Sequence, residues 1–81
     1  MTLKEILEIY PENDWLKADG FDDCVIGVVH SFGGEAILAY DYHKVIKTLM
    51  KDMSEEDAIE HFNYNIVGSY VGEKTPIYIE T

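Results

Sequence analysis

Cysteine and histidine are the side chains with which so short a chain could do nucleophilic or metal chemistry near neutral pH. The 81 residues hold one cysteine, Cys24, and three histidines, His30, His43 and His61. Cys24 and His30 fall on the same side of an extended run, but six residues at ~3.3 Å each separate them by about 20 Å, so they cannot act as nucleophile and base. A lone cysteine excludes an internal disulfide and any zinc site built on cysteine pairs, and at the start of an apolar strand it reads as a small buried thiol. Asp57 and His61 stand four apart, a helical spacing that can share a metal, yet no third ligand follows at a matching interval and an exposed ion pair is the better explanation. Asp22 and Asp23 could hold a hard cation, but the calcium-loop pattern is absent and turn capping accounts for both. His43 reads as a solvated helix residue and His30 as the end of a strand. No G-x-S-x-G, HExxH or GxxxxGK[ST] pattern occurs, and Gly33-Gly34 is too short to cradle phosphates. The expectation is a protein that is not an enzyme and uses no cofactor or metal.

Binding chemistry is better represented. FNYNIVGSYVG, residues 62–72, carries no formal charge although 27% of the chain is charged. Burial would account for that neutrality, because an unpaired charge in a dry interior costs several kcal/mol. Asn63 and Asn65 lie about 200° apart on a helix, so at least one must meet solvent or a loop. Whichever is buried is expected to bond the backbone of the turn that follows; the alternative is that Asn63 and Asn65 form a candidate ligand pocket with Tyr64 and Tyr70. Trp15 is the other candidate. Loop tryptophans commonly fold back onto a core, but tryptophan is also the side chain most enriched at interface hot spots. Acids Glu12, Asp14, Asp19, Asp22 and Asp23 surround it, and Glu55 and Glu56 supply more negative charge, an arrangement suited to a basic protein partner.

The totals narrow the classes further. A net charge of −10 with no arginine removes the planar fork used for phosphate and base recognition, so direct nucleic-acid binding is not expected. Residues 1–23 and 51–81 each carry −5, and residues 24–50 carry none. If the two ends meet in the fold, they make one negative face that acts over a Debye length of about 8 Å. Solubility is the plainer explanation of the same charge. No segment reaches the ~18 apolar residues of a membrane span, and MTLKEILEIY lacks the basic stretch and apolar core of a signal peptide, so a cytoplasmic protein is expected.

The elements that must position these residues fit one compact α+β domain over residues 1–81. Thr2 and Glu5 match a capping box, Leu3, Ile6, Leu7 and Tyr10 repeat at helical spacing, and Pro11 ends the run. Residues 11–23 read as a loop, with room for a helical turn around Trp15. CVIGVVHS (24–31) and EAILAY (35–40) read as a hairpin around Gly33 and Gly34. Asp41 then caps a helix with Tyr42, Val45, Ile46, Leu49, Met50 and Met53 on one face. Ser54 starts a third helix with stripe Ile59, Phe62, Ile66 and Tyr70, stopped at Gly68, and PIYIE (76–80) alternates as a last strand. The order is α-β-β-α-α-β with a three-stranded antiparallel sheet packed against helices.

Several stretches, ADGFDD with IGV, YDYHKVIKTLM, and above all Ala58 to Pro76 in the form A-I-E-x-F-x-x-N-I-V-G-x-Y-V-G-x-x-T-P, resemble a group of small acidic proteins of tailed phages and prophages. The resemblance covers about residues 18–79. Relatives carry alanine where this chain has Cys24, which argues against a role for the thiol, and an extra Asp-Gly before the segment that begins at Met53, which implies a trimmed interhelical turn. No activity or ligand is attached to that group, so the resemblance implies a phage setting and the host cytoplasm, without a reaction. The expected function is a non-enzymatic acidic module that binds and inhibits a host or defence protein with a basic surface through its own negative surface. The alternative is a small-ligand, nucleotide-like binding or sequestering protein, with a homo-oligomer as one way to complete its pocket.

Overall fold

The computed structural model describes residues 1–30, 34, 36–66, 72 and 74–80. Helix α1 spans Leu3–Ile9, and its start is a complete capping box: the Glu5 amide donates to the Thr2 hydroxyl and the Thr2 amide to the Glu5 carboxylate. A loop with no helical turn around Trp15 leads to a turn at Ala18–Phe21, where Gly20 takes φ +88°, and then to a short 3-10 turn at Asp22–Cys24. Strands β1 (Val25–His30) and β2 (Ala36–Asp41) pair antiparallel, with a register irregularity between Val25 and Gly27. The Met1 ammonium donates to the Ile26 carbonyl at this irregularity and so ties the start of the chain to the sheet.

Asp41 caps helix α2 (Tyr42–Leu49) by accepting from the Lys44 amide, and Ser54 caps helix α3 (Glu55–His61) by accepting from the Asp57 amide. Helix α3 widens into a π-helical turn at Phe62–Ile66, and strand β3 spans Ile77–Ile79. The element order matches the one read from the sequence, with one correction. The sheet is mixed, because β3 runs parallel to β2, with Ala39, Tyr40 and Asp41 opposite Ile77, Tyr78 and Ile79. Parallel neighbours require a crossover of about a dozen residues or more, and α2, α3 and the segment after them supply it.

Strand β2 is central and buried on both faces. Leu38 and Tyr40 point into the main core with Ile6, Val45, Ile46, Ala58 and Phe62, whereas Ile37 and Ala39 alternate to the opposite face. Cys24 is a buried member of that core, its sulfur 3.7 Å from the Thr48 hydroxyl. Met50, placed by its spacing on the core stripe, is instead exposed, since α2 ends at Leu49. Gly68 and Tyr70, read as helix stop and stripe residue, lie outside the described residues.

Candidate binding surface

Two grooves flank the segment that leads into β3. The first has a volume of about 480 Å³ and lies between the loop before β1 and the π-helical turn. Phe21, Ile66 and Tyr78 line its apolar part, and Lys17, Asp19 and Asn65 line its polar part. This is where the N-terminal and C-terminal segments meet: the Lys74 ammonium also donates to the Asp14 carbonyl at 3.0 Å. The second groove, of about 470 Å³, is lined by Tyr42, Phe62, Pro76, Ile77, Tyr78 and Glu80 among others. Phe62 stands edge-to-face to Tyr42 (centroids 5.0 Å, interplanar angle 83°) and to Tyr78 (5.0 Å, 87°), so three rings meet nearly at right angles.

The charge-free run does not owe its neutrality to burial alone. Within its described part Phe62 is buried and Ile66 half-buried, but Asn63, Tyr64 and Asn65 are exposed, Tyr64 by 78%. The spacing is the physical reason: Phe62 and Ile66, four apart, pack against the core and the three residues between them project outward. Asn65 Nδ2 lies 3.3 Å from His61 Nδ1, and both residues border the first groove and a shallower depression of about 500 Å³ shared with Asp57, Glu60 and Tyr64. Of the candidate ligand residues, Asn65 and Tyr64 therefore share a depression, Asn63 lines none of these grooves, and Tyr70 is outside the described residues.

Trp15 is half-buried and packs against the core, its ring edge-to-face with Tyr10 at 5.8 Å, and Tyr10 in turn meets His30 at 6.3 Å. The indole Nε1 and the neighbouring Asn13 Nδ2 are both buried without a hydrogen-bond partner. The acids around it scatter outward: Glu12, Asp14, Asp19, Asp22 and Asp23 are all exposed. Asp22 and Asp23 join Glu8 and Lys4 around a depression of about 540 Å³, where α1 meets the 3-10 turn, and Asp19 faces the first groove instead. Glu55 and Glu56 are exposed in the first turn of α3, where the helix dipole favours negative charge.

Two tyrosines are shifted by their surroundings. Burial raises the Tyr40 phenol above its ordinary value, opposed by the hydrogen bond it accepts from the Ala18 amide at 2.8 Å; burial likewise raises Tyr78, with a further contribution from Tyr40. Both stay protonated at neutral pH and serve as rings and hydroxyls. Sequence reasoning missed the second groove because Tyr42 and Phe62 looked like core stripe residues, and nothing local showed that Tyr78 would come to lie against Phe62. Among the described residues no group of three or more His, Cys, Asp or Glu side chains could hold a metal ion, and no helix is long and apolar enough to cross a membrane. No family model, curated protein or solved structure matches the chain.

Proposed function

We propose that this chain is a non-enzymatic interaction module that uses its negative surface to bind and inhibit a host or defence protein in the cytoplasm of a phage-infected cell. The observation that carries the reading is the grouping of Glu8, Asp22 and Asp23 around one depression, on a helix and turn anchored in the core through Leu3, Ile6 and Cys24. Charges mounted on packed elements are pre-organised, so a basic partner meets them without the cost of ordering them. The net charge of −10 adds long-range attraction, and the resemblance to small phage proteins supplies the setting. The tagged protein should capture a specific basic protein from host lysate at 50 mM salt and release it at 500 mM, and Asp22→Lys with Asp23→Lys should abolish capture. Capture that is indifferent to salt and to charge reversal would refute the reading.

A second reading rests on the first groove, where an amide, an ammonium and two rings, from Asn65, Lys17, Phe21 and Tyr78, border one space. Stacking and amide bonding of this kind suit a planar, nucleobase-like ligand, bound by one chain or between copies. Native mass spectrometry of protein purified from infected cells tests it: a retained small molecule supports sequestration, and a bare chain mass counts against it.

A further inference from the structure

The second groove has a chemistry that the negative surface does not explain. Tyr42 and Tyr78 stand nearly perpendicular to Phe62, which is 3% exposed and forms a floor, and the one ionisable carboxylate among the described lining residues is Glu80. Aromatic faces carry negative charge density, so a cluster of rings beside a carboxylate is matched to an alkylammonium group. Among the described residues no lysine lines this groove, although the first groove has Lys17 and the depression by α1 has Lys4. The positive end of α2 lies close to Tyr42, but the Asp41 carboxylate caps that end and offsets it.

We infer that the Tyr42, Phe62, Tyr78 and Glu80 groove is an aromatic socket for a lysine side chain of the basic protein partner. The inference rests on the interaction-module reading and adds to it the residue type that docks. Exposed carboxylates steer a basic surface without selecting one lysine on it, whereas a groove walled by rings accepts an extended alkyl chain and holds its ammonium at the mouth.

The test titrates the full chain with Nα-acetyl-lysine methylamide at low salt while the ring resonances of Tyr42, Phe62 and Tyr78 are followed by NMR. The neutral analogue Nα-acetyl-norleucine methylamide, which keeps the four-carbon chain and lacks the ammonium, is titrated alongside. Saturable shifts of these rings with the lysine probe, and much smaller ones with norleucine, are expected. Tyr42→Leu should weaken the lysine probe about 2- to 30-fold, Glu80→Gln about 2- to 5-fold, and Tyr42→Phe should bind like the parent chain. Glu80 is exposed, so its variant keeps the test decisive even if Tyr42→Leu fails to fold. Equal shifts with norleucine, no saturable shift at these rings, or Glu80→Gln binding the lysine probe like the parent chain would overturn the socket. Salt-sensitive capture of a partner that folded Tyr42→Leu leaves intact refutes the socket alone. Lysine binding in the groove with no salt-sensitive partner refutes the module and leaves the socket standing.

Discussion

Tyr40→Phe isolates one hydrogen bond in an otherwise unchanged core. Tyr40 is fully buried on the central strand, its ring 5.5 Å from that of Tyr78, and its hydroxyl accepts from the Ala18 amide at 2.8 Å. Phenylalanine keeps the ring and its packing and removes only the acceptor. A buried donor left without a partner costs about 1–3 kcal/mol; because Ala18 is half-buried, water can reach its amide in part, so the lower range of about 1–2 kcal/mol applies. For a domain of this size that corresponds to a fall in Tm of about 4 to 16 °C, a large share of a total stability of roughly 4–12 kcal/mol. Thermal unfolding followed by circular dichroism reads the first quantity. Hydrogen exchange at the Ala18 amide reads the second, and it should speed up in the variant under native conditions, because this bond holds the loop before β1 against the sheet. If Tm moved by less than a degree and Ala18 exchanged as before, the Tyr40 hydroxyl would not be the tether, and the loop would have to be held by Trp15 and Phe21 packing and by Lys74 on the Asp14 carbonyl.

Leu38→Ala, at a fully buried position of the central strand, should cost about 2–5 kcal/mol in a denaturant titration, whereas Tyr64→Ala, on a residue exposed by 78%, should stay within about 0.5 kcal/mol. Alkaline titration should lower stability: Tyr40 and Tyr78 have raised folded values, so the unfolded chain loses their protons first as pH rises past about 10, and Tyr78→Phe should blunt that loss in melts between pH 9 and 11. Glu5 behaves in the opposite sense. Its carboxyl is held below the ordinary value by the Thr2 amide and then the Thr2 hydroxyl, so its contribution is present above about pH 4.5 and fades as pH falls through the lowered folded value; Glu5→Gln should flatten the acid limb of stability against pH.

The sequence by itself determined the pieces that depend on neighbours along the chain. Thr2 with Glu5, Asp41 and Ser54 each place a side-chain oxygen where free helix amides need an acceptor, so all three helix starts were legible. β-branched residues in VIGVVH and the apolar run AILAY, on either side of Gly33 and Gly34, marked two strands because such side chains pack well on a pleated surface. The absence of arginine and the excess of acids likewise set the surface charge before any folding. Only the tertiary structure decided how β3 enters the sheet, since the path of the crossover, and not the composition of Ile77–Ile79, sets its direction beside β2. It also decided how far Asn63, Tyr64 and Asn65 stand out: the spacing of Phe62 and Ile66 already turned them from the core, but only the packed fold leaves all three exposed. The meeting of Tyr42, Phe62 and Tyr78 is of the same kind. These rings come from a helix start, a helix end and an edge strand, and a contact between residues so far apart in sequence exists only once the sheet and its helices have packed.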